Sequence, residues 1–207
     1  MGPVNQLIRR LPVWALYLLG AVPAPWFFYL GLTGGLGVEP IKALEHEYGK
    51  LALQLLILTL AISPLRRLLG LNLMKFRRAI GLLCFFYVLC HLLVWLVLDV
   101  QNPGQILTDI AKRPYITIGM AGFVLMLPLA LTSNNLSVRC LGRAWPRLHR
   151  LTYAAGLLGA VHFAMLVKGF QIEPLLYLGV VLALLAVRLP AALLRWQTTA
   201  SDTSGRV

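Results

Sequence analysis

The segment Leu148-His149-Arg150-Leu151-Thr152-Tyr153-Ala154-Ala155-Gly156-Leu157-Leu158-Gly159-Ala160-Val161-His162-Phe163 decides how this chain is read. It carries two of the four histidines on a run apolar enough to cross a bilayer. A helix rises about 1.5 Å per residue, so the two imidazoles lie roughly 20 Å apart along the axis. One sits at a membrane face and the other deep in the far leaflet. His91 lies inside another apolar run. Ionisable or ligating side chains are rare in hydrocarbon and mark functional sites by default.

Composition sets the class around that segment. The chain is 59% hydrophobic and 13% charged, with a mean hydropathy of +0.78, where a soluble domain carries about 25% charged residues. It reads as an integral membrane protein. Its net charge of +12 does not signal nucleic acid, because the basic residues gather in short loops between apolar runs, which is a topology signal. Three cysteines, Cys84, Cys90 and Cys140, cannot close a disulfide framework. Cys84 and Cys90 are about 9 Å apart in helical rise, too far to bridge. The N-terminal apolar run through Ala15 to Leu32 is long for a signal peptide and reads as an uncleaved first span.

The apolar runs predict an all-α bundle of six transmembrane helices, at about residues 11–33, 51–65, 79–98, 115–132, 148–167 and 174–189. Residues 1–196 then form a single domain, and the polar tail 197–207 reads as disordered. Pro23 and Pro25 are expected to kink the first span. Residues 38–50 read as a loop, although the fifteen residues of the second span are short for a crossing and leave an earlier start open. On the loop reading His46, between Glu45 and Glu47, is a solvated histidine by default, with a partner-docking or quinone role left open. With six spans, fourteen Lys and Arg fall on the side of both termini and five on the other. The positive-inside rule therefore places both termini in the cytoplasm.

Spans three and five then run in the same direction. His91 follows Arg78 by thirteen residues and His162 follows Arg150 by twelve, so both sit at one depth in the outer half of the bilayer. Two neutral imidazoles at one level can clamp an iron from opposite faces of a porphyrin. Gly156, Gly159 and Ala160 are expected to leave room for the flat macrocycle. Interhelical hydrogen bonding is the simpler role for a lone membrane histidine. Zinc lacks further ligands at that depth, and a proton relay lacks Asp or Glu within the spans. His149 differs, lying at the cytoplasmic rim with Arg147 and Arg150, opposite Arg77 and Arg78 on span three. That group suits a second haem with a non-histidine second ligand, a quinone, or a flavin whose phosphate the arginines hold. A solvated interfacial histidine is the alternative.

The stretches Phe76-Arg77-Arg78-Ala79-Ile80-Gly81-Leu82 through His91, Lys112-Arg113-Pro114-Tyr115-Ile116-Thr117-Ile118-Gly119, Pro128-Leu129-Ala130-Leu131-Thr132-Ser133, and Leu141-Gly142-Arg143-Ala144-Trp145-Pro146-Arg147 through Tyr153 carry a family resemblance. Together they resemble the haem-binding membrane subunit of the bacterial periplasmic methionine-sulfoxide reductase system, within the ferric-reductase-like transmembrane superfamily. The resemblance spans about residues 34–188. It implies six helices in the inner membrane, haem b and FMN as cofactors, and His91, His149 and His162 as the family's histidine positions. It further implies electron transfer from the quinone pool or a cytosolic flavin reductase to a periplasmic molybdenum-containing catalytic subunit. Unlike eukaryotic ferric reductases, span three has no second histidine, and the short segment after span six leaves no space for an FAD- or NADPH-binding domain. The expected role is thus an electron-transfer subunit and not the catalytic one. Rival readings are a haem subunit for another periplasmic reductase or for ferric iron, and a haem-free transporter or assembly factor.

Overall fold

The computed structural model describes residues 3–166 and 171–188, and the described residues form helices and turns without strands. In chain order these are α1 (Pro3–Arg10), α2 (Val13–Ala21), α3 (Pro23–Leu32), α4 (Pro40–Leu68), α5 (Arg77–Leu93), α6 (Pro103–Lys112), α7 (Pro114–Leu131), α8 (Asn135–Leu141), α9 (Ala144–Leu148), α10 (Leu151–Leu166) and α11 (Ile172–Ala186). Among the described residues, four helical stretches are long and apolar enough to cross a bilayer: Val13–Leu32, Pro40–Leu68, Met74–Val100 and Pro114–Leu131. The apolar helices α10 and α11 are shorter, at 16 and 15 residues. The expected end of the sixth span at Leu189 and the tail 197–207 lie outside the described residues.

Local chemistry explains the boundaries. The hydrogen-bond ladder of the first span is interrupted between α2 and α3 because Pro23 and Pro25 donate no N–H, while Val22 keeps helical dihedrals, φ −54° and ψ −42°. Pro40, Pro103 and Pro114 open α4, α6 and α7, where the missing donor costs nothing and the fixed φ suits a first turn.

The reading of residues 38–50 as a loop is corrected here, since α4 already begins at Pro40 and runs for 29 residues. Leu44 and Tyr48, four apart, are 3% and 5% exposed. They give the stretch one buried face beneath its charges, and helical spacing alone puts them there. Residues 99–114, which separate the expected third and fourth spans, are likewise mostly helical. After α5 the chain passes through a π-helical turn, Val94–Val100, and ends at Gln101 with φ 57°. The Asn102 side chain then accepts hydrogen bonds from the Gly104 and Gln105 amides at the start of α6.

Two antiparallel hairpins form the centre. Helix α5 packs along α4, and α10 packs along α7. Helices α2 and α3 lie against α5 and α4, while α11 covers α10 and α4. Small buried residues allow the close approach that membrane helices need: Ala52, Ala79, Cys84, Ala155 and Ala160 are all nearly or fully inaccessible. The Cys84 thiol donates to the Ala52 carbonyl at 3.2 Å, a structural contact.

Candidate cofactor site

Between the two hairpins lies a cavity of about 470 Å³, lined by α4, α5 with its π turn, α7 and α10. That volume falls in the range of about 300–1,000 Å³ typical of cofactor sites. Leu53, Leu56, Val88, Phe123 and Met126 form its apolar walls, and Lys42, Glu45, His46, Lys50, Asp99 and Arg113 supply polar lining.

Helices α5 and α10 bring His91 and His162 together in this cavity, with ring centroids 6.1 Å apart and planes at 81°. His91 Nδ1 lies 2.8 Å from the Glu45 carbonyl oxygen, and His162 Nδ1 lies 2.7 Å from that of Tyr115. A carbonyl only accepts, so each Nδ1 carries the hydrogen and each neutral ring keeps its lone pair on Nε2. This is the second-sphere arrangement found around ligating histidines. Two imidazoles sharing one ion, each at about 2 Å from it, have centroids about 6 Å apart. The spacing, the tautomers and the cavity all fit a porphyrin iron.

Other expected residues fall differently. His46 is not a loop residue. It lies on α4, lines the same cavity, and its ring is 5.5 Å from that of Phe163. Of the three small residues on α10 expected to make room, only Gly159 lines the cavity. Gly156 instead packs against Leu60 of α4, and Ala160 is buried with Leu53 and Val181. Their small size serves helix packing.

His149 stands outside this cavity, between α9 and α10. Its ring stacks on Trp145 with centroids 3.9 Å apart, and Nε2 lies 3.0 Å from Thr132 Oγ1. The Thr132 hydroxyl already donates to the Pro128 carbonyl, so His149 Nε2–H is the donor to Thr132. Burial, and then the nearby Arg77 guanidinium, hold this imidazole below its ordinary pKa. Arg77 is half-buried, while Arg78, Arg147 and Arg150 are exposed. Arg78 donates to the Asn135 side chain. Sequence reasoning missed Arg188, which donates to the Tyr153 hydroxyl at 2.7 Å and to the Leu60 carbonyl. Its position at the end of an apolar run made it look like a simple topological charge.

Residues 48–160 match the family described as the ferric reductase like transmembrane component. The chain is also similar to the protein-methionine-sulfoxide reductase heme-binding subunit MsrQ of Brucella anthropi, with 53% identity over 178 residues, 86% of this chain and 81% of that protein. The protein of the same name in Brucella ovis is 51% identical over 194 residues, 93% of this chain and 88% of its own length. The chain belongs to the MsrQ branch of the ferric reductase-like transmembrane family. No solved structure matches it. The ferric reductase-like match takes in His91 and His149 and stops two residues short of His162.

Proposed function

We propose that the cavity holds one haem b with His91 and His162 as axial ligands, and that this MsrQ-type protein carries electrons through the inner membrane to a periplasmic methionine-sulfoxide reductase subunit. The observation that carries the reading is the facing pair of imidazoles, each with Nδ1 tied to a carbonyl and Nε2 free. Bound there, haem would supply a reversible one-electron couple, and His91 and His162 are the residues that would hold it. The carbonyls of Glu45 and Tyr115 fix ring tautomer and orientation, while Leu53, Leu56, Val88, Phe123 and Met126 exclude water. Lys42, Lys50 and Arg113 line the cavity paired with Glu39, Glu173 and Asp109, and would meet the carboxylate substituents of a porphyrin by exchanging those partners. The sequence contains no Cys-x-x-Cys-His attachment motif, which supports haem b.

With six crossings, the charge asymmetry puts both termini in the cytoplasm. On that topology the polar lining lies toward the periplasm, where the partner, a molybdenum-containing catalytic subunit, takes up electrons. Electrons arrive from quinol or a cytosolic flavin reductase at the cytoplasmic face. There His149, stacked on Trp145, and Arg77, Arg78, Arg147 and Arg150 form a second site for FMN, quinone or a further haem. The names of the relatives and the family resemblance support the partner and the cofactors.

The test is the visible spectrum of dithionite-reduced protein. It should show the split α and β bands of six-coordinate low-spin haem, and His91→Ala or His162→Ala should abolish the same haem. A high-spin spectrum with rapid carbon monoxide binding refutes the paired ligation.

A further inference from the structure

His91 and His162 each rest on a glycine of the neighbouring helix. The acceptor of His91 is the Glu45 carbonyl and that of His162 is the Tyr115 carbonyl. Four residues after each acceptor, on the same helix, stands a glycine: Gly49 on α4 and Gly119 on α7. In a helix, residue i+4 lies on the same face as residue i, and its Cα–Cβ bond tilts toward the helix N-terminus. A Cβ at i+4 therefore leans over carbonyl i and shields the side from which a second donor can approach. At Gly49 such an atom would stand 3.0 Å from His91 Nδ1 and 3.2 Å from its Cε1. At Gly119 it would stand 2.8 Å from His162 Nδ1 and 2.9 Å from its Cε1. Real Cβ atoms essentially never come closer than 3.0 Å to a neighbour, so Gly119 admits no Cβ without a shift. The contact at Gly49 is tighter than nine in ten real ones and requires His91 to give by a few tenths of an ångström.

A flexible leucine end would yield to such a contact. An imidazole held by a carbonyl at Nδ1 and by iron at Nε2 has no such freedom. Gly81 on α5 and Gly179 on α11 show the contrast, since a Cβ there meets nothing within 4 Å.

We propose that Gly49 and Gly119 are positioning residues for haem ligation, keeping the Glu45 and Tyr115 carbonyls open to the imidazoles and thereby setting the plane, tautomer and basicity of His91 and His162. The inference rests on the reading that these two histidines ligate haem. Removing second-sphere support of this kind typically weakens metal binding about 10–100-fold. The ligand also becomes less basic when its Nδ1–H loses the carbonyl, which destabilises the ferric state.

The experiment compares Gly49→Ala and Gly119→Ala with Gly81→Ala and Gly179→Ala in the full-length haem-loaded protein. Alanine favours a helix over glycine by about 1 kcal/mol, so helix propensity cannot account for a loss. Haem affinity should fall about 10–100-fold in the first two, more at the tighter Gly119. Their ferric low-spin electron paramagnetic resonance signal should shift, and the midpoint potential should rise. The two controls should keep wild-type values. If Gly119→Ala does not accumulate, Gly49→Ala carries the comparison. Nitrogen-15 resonances of histidine-labelled wild-type ferrous protein add an independent reading: both ligating rings should show a protonated, hydrogen-bonded Nδ1. Wild-type affinity, signal and potential in the alanine variants overturn the proposal, as does an unbonded Nδ1. If His91→Ala and His162→Ala leave the haem spectrum intact, the ligation reading itself fails. If they abolish it while the glycines prove indifferent, only the positioning role fails.

Discussion

Two tyrosines hold the broken first span against the rest of the bundle, and removing their hydroxyls gives a measurable cost. Tyr87 of α5 donates to the Gly20 carbonyl of α2 at 2.6 Å, and Tyr48 of α4 donates to the Ala24 carbonyl of α3 at 2.7 Å. The acceptors lie on either side of the break at Val22, and both tyrosines are buried. A buried carbonyl left without a partner costs about 1–3 kcal/mol, and lipid has no water to replace the lost donor. Interhelical hydrogen bonds in membranes average only about 0.6 kcal/mol, because the surroundings find other partners. Pro23 and Pro25 withhold helical donors from the Leu19 and Ala21 carbonyls, whereas the i+4 residues of Gly20 and Ala24 are Ala24 and Phe28, which keep their N–H. Tyr48→Phe and Tyr87→Phe should therefore each cost about 0.5–1.5 kcal/mol, the net value of one hydrogen bond, and the double variant about 1–3 kcal/mol. Unfolding titrated with sodium dodecyl sulfate in mixed micelles, followed by circular dichroism, measures this. No residue of α2 or α3 lines the cavity, so the haem spectrum of the folded variants should match the wild type. A double variant within about 0.5 kcal/mol of wild type would show that the tyrosines do not clamp the break.

His149→Ala should keep the low-spin haem spectrum while slowing reduction by quinol or reduced flavin, and a wild-type rate would remove the second site from the account. A Cβ at Gly159 meets only Leu53 at 3.8 Å and Leu56 at 4.0 Å. Gly159→Ala should therefore retain haem, whereas Gly159→Phe, projecting into the cavity, should lower the haem-to-protein ratio severalfold in purified protein. Reporter fusions at the C-terminus should be active in the cytoplasm, and a periplasmic signal would reverse the direction of electron flow proposed here.

Helix content and the proximity of His91 and His162 were legible because they depend on composition and on distance from a charged boundary. Counting from Arg78 and Arg150 put His91 and His162 at one depth, and the structure brings their rings within 6.1 Å. Residues 40–50 were not legible. Charged side chains dominate their hydropathy, while the helix is held by Leu44 and Tyr48 facing inward, so His46 was assigned to solvent. The glycine contacts were hidden for a different reason. Their partners are 42 and 43 positions away in the chain, and a glycine within a membrane helix carries no sign of which neighbour it admits. Gly156 and Gly159 look alike in sequence, yet one turns to α4 packing and the other to the cavity.

The acceptor carbonyl and its histidine are separated by 46 residues in one case and 47 in the other. In both, the carbonyl lies on the first helix of a hairpin, α4 or α7, and the histidine on the second, α5 or α10. Contacts are dense within each hairpin and sparse between them. A small displacement of one hairpin relative to the other therefore carries each imidazole together with the carbonyl that orients it. Tautomer and ring plane survive such motion, and only the gap between the two Nε2 atoms changes. A haem held by both histidines would stabilise the pairing of the hairpins and not the fold of either one. On the proposed ligation, that division of labour would let bonds to the main chain orient two histidines across the interface between the hairpins.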